Sequence, residues 1–138
     1  MKGEYQHSID GKNRLFIPAR LREELGDSFT LTRGLDGCLY VYSKDNWDVL
    51  EQKIKALPMT KSRDFQRYFF SGASECEPDA QGRVVIPQPL REHAGLSREV
   101  TVIGVGDRAE IWDADKWREY SGSITSDGLA IEMESLGF

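Results

Sequence analysis

Hydrophobic and polar positions alternate over the first residues of the chain. Tyr5, His7 and Ile9 are separated by polar residues, which is the period-two pattern of a half-buried strand. The turn-forming segment DGKNR follows, and a largely apolar run from Arg14 to Ile17 resumes the extended pattern. We therefore predict a β-hairpin whose two arms are joined by that segment.

Helix and strand signals follow in turn. Pro18 suits the first turn of a helix and Gly26 the position just beyond its end, so a short helix is predicted between them. Two strands, Phe29–Arg33 and Cys38–Tyr42, then flank an Asp-Gly turn signal. A longer helix is predicted from about Lys44 to Ala56.

The same order of elements then recurs. The segment DGKNRLFIP, which begins at Asp10, is matched by DAQGRVVIP, which begins at Asp79, and the offset of 69 persists through the following Leu-Arg-Glu triplet. A repeat of this length indicates a duplicated structural unit. The second copy is predicted to contain strands near 74–77, 84–86, 100–103 and 109–112, a short helix ending at Gly95, and a helix that Asp113 caps and that continues through Tyr120.

These patterns define the fold class and four segments. We predict a mainly β protein with short helices (α+β), divided into repeat 1 (1–57), a connecting helix (58–73), repeat 2 (74–120) and an acidic C-terminal tail (121–138). A unit of about 45 residues is too small to bury a core comfortably by itself, so the repeats are expected to share one. The tail has weak periodicity, which is compatible either with a marginal helix or with disorder until a partner binds.

Composition is that of an ordinary globular protein, with 39% hydrophobic and 30% charged residues. The net charge of −5 argues at first against a polyanionic partner. However, four acidic residues and no lysine or arginine follow Arg118, so the remaining body has 18 positive against 19 negative charges. A nearly neutral body can still present a basic face if its cations cluster.

Several classes of function have little support. The apolar runs are shorter than the roughly 20 residues that a membrane-spanning helix needs, and the N-terminus lacks a secretory signal, so a cytoplasmic location is expected. Cys38 and Cys76 lack metal-binding spacing and are predicted to be small buried or half-buried side chains. The stretch Gly104–Ala109 spells a dinucleotide-type GxGxxA motif, but a strand rather than a helix follows it, so no cofactor is predicted. No metal or catalytic motif is found, and the protein is not expected to be an enzyme.

The repeated D-x-x-x-R loop is the leading candidate site. An aspartate at its first position can accept backbone N–H bonds and fix the loop, while the arginine can pair with that aspartate, with a phosphate or with a guanine edge. We predict nucleic-acid contacts by the polar loop residues and by arginines on the short helices that follow, namely Asp10, Lys12, Asn13, Arg14, Arg20, Arg22, Asp79, Gln81, Arg83 and Arg91. The alternative also stays open, in which each loop holds only a structural ion pair and the helix arginines lie on a solvated face balanced by Glu23, Glu24 and Glu92.

At these loops the chain closely resembles the MraZ family of bacterial transcriptional regulators, which contain two SpoVT-AbrB domains in tandem. The resemblance is carried by GEYQHSIDGKNRLFIPARLREELG, by DAQGRVVIPQPLRE and by the connector FQRYFFSGA. It implies two swapped-hairpin units that form one pseudo-symmetric barrel per chain, and chains that assemble into a ring. It also implies binding to double-stranded DNA at promoter repeats of the division and cell-wall gene cluster, as a nucleoid-associated repressor.

The tail supports an alternative function from another class. Relatives of the same barrel serve as antitoxins whose tails wrap a toxin, so the tail could make the chain a protein-interaction module. A partner protein that is lost on deletion of residues 121–138, with DNA binding unchanged, would favour that function over gene regulation.

Overall fold

The computed structural model describes the whole chain from Met1 to Phe138. It contains eight strands and six α-helices. The strands are β1 (Glu4–Ser8), β2 (Arg14–Phe16), β3 (Phe29–Arg33), β4 (Leu39–Ser43), β5 (Ser74–Cys76), β6 (Arg83–Val85), β7 (Glu99–Gly104) and β8 (Ala109–Asp113). The helices are α1 (Ala19–Leu25), α2 (Lys44–Lys55), α3 (Met59–Phe65), α4 (Gln88–Ala94), α5 (Ala114–Ser123) and α6 (Ser126–Ser135).

The strands form two antiparallel sheets. Six of them lie in the order β1-β7-β8-β4-β3-β5, and β2 and β6 make a separate two-stranded ribbon. The predicted α+β class is therefore confirmed. The hydrogen-bonded ladder does not close into a barrel, because β1 and β5 remain the two edges of the larger sheet.

The predicted hairpin between the first two strands is wrong. Strand β1 pairs with β7, and β2 pairs with β6, so that Tyr5 lies opposite Val102 and Leu15 opposite Val84. In the same way β5 of the second repeat pairs with β3 of the first. Pairing across the repeats places apolar faces over a common core, whereas an isolated two-stranded hairpin is only marginally stable.

The two repeats share the main hydrophobic core, as their small size predicted. Eighteen buried residues from both repeats form one cluster, in which Leu15, Leu31, Ile86 and Ile111 are fully buried. A second, largely aromatic cluster lies on the opposite face of the sheet, since Leu39 and Val41 point to the first cluster while the alternate residues of β4 point to the second. Both cysteines are free and buried, as predicted.

The connector between the repeats is helical. Helix α3 continues as one π-helical turn from Gln66 to Phe70, which tucks Phe69 into the aromatic cluster. The hydroxyl of Thr32 donates to the carbonyl of Phe69 at 2.6 Å, which fixes the turn to β3. Helix α3 and this turn connect the strands of the two repeats, and the aromatic residues of the turn have a packing role.

The tail forms a helix that contacts little else. Helix α5 extends to Ser123, and Thr125 then caps α6 by accepting from the backbone N–H of Gly128 at 3.2 Å. No residue of α6 is buried. Of the two alternatives for the tail, the structure shows a helix. No helix of the chain is both long enough and apolar enough to cross a membrane.

Candidate nucleic-acid interface

The first D-x-x-x-R loop is held by its own aspartate. One carboxylate oxygen of Asp10, Oδ1, accepts from the backbone N–H groups of Lys12 and Arg14, both at 2.9 Å. The other oxygen, Oδ2, accepts from Nε of Arg14 at 2.7 Å. A single carboxylate therefore fixes both the backbone of the loop and the orientation of the arginine side chain.

The second loop repeats this arrangement bond for bond. Asp79 accepts from the N–H groups of Gln81 and Arg83 at 2.9 and 3.0 Å, and from Nε of Arg83 at 3.0 Å. Its backbone closes with the same pair of bonds as the first loop, between positions one and five and between positions four and one. The sequence repeat is thus a repeat of geometry.

Both loops turn through a left-handed residue at their fourth position. Asn13 has φ of 61° and Gly82 has φ of 79°. Asparagine and glycine are the residues that adopt this conformation at least cost. The carbonyl of Asn13 accepts from Ile86 N, and that of Gly82 accepts from Ile17 N, each at 2.9 Å. Each turn is therefore fastened to the opposite strand of the ribbon.

The ribbon places the two arginines on one surface. Arg14 lies opposite Val85, and Phe16 lies opposite Arg83, with Leu15 and Val84 between them buried on the other side. Nη1 of Arg83 also lies 3.9 Å from Oδ2 of Asp10, which links the two loops electrostatically. The motif residues of the two repeats therefore form one continuous site.

The guanidinium groups of the ribbon are half-buried and oriented. The side chains of Arg14 and Arg83 are each 28% exposed. Each is held through Nε, and none of the hydrogen bonds within the chain uses the terminal nitrogens of Arg14 or Arg83. Those nitrogens keep donors for an external acceptor.

The charge state of the loops is also fixed. Hydrogen bonds from the backbone N–H of Arg14, assisted by those from its side chain and from Lys12, hold the pKa of Asp10 below its usual value. The corresponding bonds from Arg83 and Gln81 lower the pKa of Asp79. Both aspartates are therefore ionised at neutral pH, so the ion pairs are formed.

The structure gives Arg22 and Arg91 a different position from the loop arginines. Nε of Arg22 donates to the carbonyl of Ile17 at 2.8 Å, and Nη1 of Arg91 donates to the carbonyl of Ile86. Arg22 also lies over the ring of Phe16, 5.3 Å from its centroid. These two arginines are part-buried braces between each short helix and the strand before it, and they do not lie on a solvated helix face balanced by glutamates.

The remaining predicted residues lie at the periphery. Lys12, Asn13 and Gln81 are exposed at the loop tips. Arg20 is exposed on α1, where it lines a groove with Tyr5, and it forms no ion pair or hydrogen bond with either loop. Arg20 is thus the one predicted residue that the structure does not bring to the ribbon.

Two residues of the outer ribbon face were missed by the sequence reasoning. Val85 is exposed, and Phe16 is partly exposed beside His7, with the two rings 5.1 Å apart. The signal was present in the alternation, because both residues flank a strand position that is buried.

Comparison with known proteins agrees with the duplicated architecture. A family model described as "MraZ protein, putative antitoxin-like" matches residues 1–67 and again 69–134. The chain is 58% identical to the transcriptional regulator MraZ of Alkaliphilus metalliredigens over 98% of its length and 97% of that protein's length. It is 60% identical to the protein of the same name from Heliobacterium modesticaldum, over 86% of this chain and 85% of that one.

These relatives define a class and a family. They are named as transcriptional regulators and not as enzymes, which confirms the predictions of a transcriptional regulator and of a non-enzymatic protein. The chain belongs to the MraZ family, since the family model covers nearly its whole length and the relatives exceed half identity.

Proposed function

We propose that the chain is a sequence-specific DNA-binding regulator that contacts double-stranded DNA through the β2–β6 ribbon. The observation that carries the proposal is the pair of oriented arginines, Arg14 and Arg83, on one outward face. A two-stranded ribbon is of a size that enters the major groove, where an arginine can bind the O6 and N7 edge of guanine. Phosphate oxygens are the other acceptors that suit a guanidinium.

The spacing within the ribbon supports a double contact. Arg14 and Arg83 are diagonal neighbours across the two strands, so their Cα atoms are about 7–8 Å apart. This is roughly two base steps of duplex DNA at 3.4 Å each. The exposed Val85 beside them is suited to an apolar contact with a thymine methyl group. The outer face thus combines polar and apolar side chains that could contact base edges.

The aspartates orient the two arginine side chains, which favours specific contacts with DNA over non-specific electrostatic attraction. An arginine that is free in solution must lose side-chain freedom on binding, whereas Arg14 and Arg83 are already fixed through Nε. The structural ion pair and the functional contact are therefore compatible, because the same bond that holds the loop also presents the terminal nitrogens.

Affinity is proposed to come from assembly into a ring. The body of one chain is nearly neutral, and a ribbon that contacts only a few phosphates binds weakly at cellular salt. Several ribbons on one rigid homo-oligomer would engage successive promoter repeats at high effective concentration, provided that the spacings match. We place this activity in the cytoplasm at the nucleoid, as repression at the promoter of the division and cell-wall gene cluster.

The two repeats would share this task. Within the proposed segments 1–57 and 74–120, each repeat supplies one loop and one strand of the ribbon, which is the exchanged pairing that two swapped hairpins would give. The connecting helix at 58–73 and the tail at 121–138 lie outside that arrangement.

Arginine variants test the proposal directly. Arg14→Gln and Arg83→Gln should each weaken binding to a promoter fragment about tenfold or more in a fluorescence-anisotropy titration, because each removes an oriented base or phosphate contact. Arg118→Gln, which removes one exposed cation on α5, is the matched control and should leave binding unchanged. Titrations over a range of salt concentrations and with a shuffled fragment separate phosphate from base contacts. Wild-type affinity in both ribbon variants would reject the proposed interface.

A second candidate function rests on the exposed helix α6. All of its residues are exposed, which leaves a surface for another protein. If the chain is instead an antitoxin-like interaction module, deletion of residues 121–138 will release a co-purifying foreign protein and leave DNA binding intact.

A further inference from the structure

Helix α6 carries an apolar stripe that nothing covers. Leu129, Met133 and Leu136 follow one another at i, i+4 and i+7, and each is at least half exposed. This spacing places the three side chains on one face of a helix. Ile131 is also exposed but lies on the opposite face. A stripe of this kind on an otherwise unpacked helix is typical of a surface that binds a partner.

The charge around the stripe is uniformly negative. Four acidic residues and no basic residue occur from position 119 onward. Glu132 adjoins the stripe on the same helix, one turn before Leu136. Helix α6 therefore presents an apolar strip with an acidic border, and its partner surface should be apolar and basic.

A groove with that complementary character lies between α2 and α3. It has a volume of about 600 Å³, and Leu57 and Met59 line it, with Met59 84% exposed. Three cations line this groove, namely Lys55, Arg63 and Arg67. Of these, only Lys55 and Arg67 form an ion pair within the chain, with Glu51 at 3.8 Å and Asp64 at 3.3 Å.

We propose that α6 of one copy docks into the α2–α3 groove of a second copy. Within one chain the stripe is exposed and the groove is open, so neither surface packs against another part of the chain. Stripe and groove are different patches, and a contact between different patches is head-to-tail, which closes into a ring when the rotation between copies allows it. The inference rests on the proposed ring and names the contact that joins its subunits.

Cross-linking between two distinguishable full-length chains tests the contact. One chain carries Met133→Cys, and a second, larger chain with a solubility tag carries Met59→Cys. Both native cysteines are buried, and burial raises the pKa of Cys38 to about 12, so they should not react with a short bismaleimide. We expect a product that contains one chain of each size. Ile131→Cys on the opposite face of α6 is the matched control and should give markedly less product.

Truncation of the stripe tests its energetic role. Leu129→Ala with Met133→Ala retains helix propensity and should raise the dissociation constant of the assembly about tenfold or more, as measured by light scattering over a dilution series. Ile131→Ala should stay within about twofold of the wild type. The monomer should keep its unfolding transition in every variant, since these side chains contact no core.

The outcomes separate this inference from the proposed function. A wild-type chain that is monomeric at all concentrations overturns both the ring and the docking. An oligomer that the stripe variant leaves intact, or a mixed-size product no more abundant with Met133→Cys than with the Ile131→Cys control, overturns the docking while the ring stands. A confirmed cross-link without DNA binding rejects only the regulator function.

Discussion

Replacement of Gly82 by alanine probes how the second loop is held. Gly82 has φ of 79°, and a Cβ atom at this position would lie 2.7 Å from Cζ and 2.9 Å from Nε of Arg22. Asn13 occupies the equivalent left-handed place in the first loop with a Cβ already present. Asn13→Ala is therefore a matched control that changes backbone preference without adding an atom against an arginine.

The magnitude follows from two contributions. An alanine in the left-handed region costs roughly 1–2 kcal/mol, and both variants incur this backbone cost. The cost is smaller for Asn13→Ala than for Gly82→Ala, because asparagine itself adopts this conformation less easily than glycine does. In Gly82→Ala the guanidinium of Arg22 must also move. Because a long side chain can move, the added cost is bounded by the contacts that Arg22 gives up, a charge-assisted bond of about 1.5–3 kcal/mol and a cation–π contact of about 0.5–1 kcal/mol. We expect about 3 kcal/mol for Gly82→Ala and about 1 kcal/mol for Asn13→Ala.

Urea unfolding at one fixed protein concentration measures both values, since assembly makes stability depend on concentration. The excess cost of Gly82→Ala should shrink in an Arg22→Ala background, where the crowded group is absent, and a double-mutant cycle reports this coupling. Equal costs for the two single variants, or an excess that persists without Arg22, would refute the close packing of Arg22 against Gly82.

Two further predictions concern ionised groups. The lowered pKa values of Asp10 and Asp79 mean that their charged hydrogen bonds stabilise the fold fully above the ordinary aspartate pKa of 3.8, and that this stabilisation is lost as the pH falls from 3.8 through the lower pKa of the folded state. Asp79→Asn should therefore differ most from the wild type in unfolding free energy at neutral pH, and the difference should narrow progressively as the pH falls below 3.8. Glu110 is buried and accepts hydrogen bonds from Arg108 at 2.8 and 3.0 Å and from Trp112 Nε1 at 3.0 Å. Glu110→Ala should therefore lower the unfolding free energy by about 3 kcal/mol, as measured by unfolding monitored through tryptophan fluorescence, and the double change Arg108→Met with Glu110→Met should recover most of that loss.

The local elements of this fold could be predicted from local signals. Proline before each short helix, glycine after it, and Asp36-Gly37 in the turn between β3 and β4 act within a few residues, and the structure places them where the sequence indicated. Asp36 and Gly37 both adopt positive φ, as a tight hairpin turn requires. Such signals act through the backbone preferences of a few residues that are adjacent in sequence, so they can be recognised without knowledge of the tertiary structure.

Strand pairing could not be predicted in the same way. The segment between β1 and β2 has every residue of a hairpin turn, and its backbone does close, since Asp10 N donates to Arg14 O at 3.0 Å. The chain nevertheless sends the two strands to different sheets. Burial of Leu15 and Val84 in the core shared by both repeats determines which strands pair. This burial depends on residues far apart in sequence, so no local pattern indicates it.

The candidate site depends on this pairing of strands between the two repeats. Each loop is closed by its own aspartate, but its fourth residue bonds to the ribbon strand of the other repeat, Asn13 to Ile86 and Gly82 to Ile17. One repeat alone would retain its ion pair and lose the partner strand that sets the separation of the arginines. The paired presentation of Arg14 and Arg83 is therefore a property of the duplication, and the divergence of Lys12 into Gln81 could alter one loop tip without disturbing the shared ribbon beneath it.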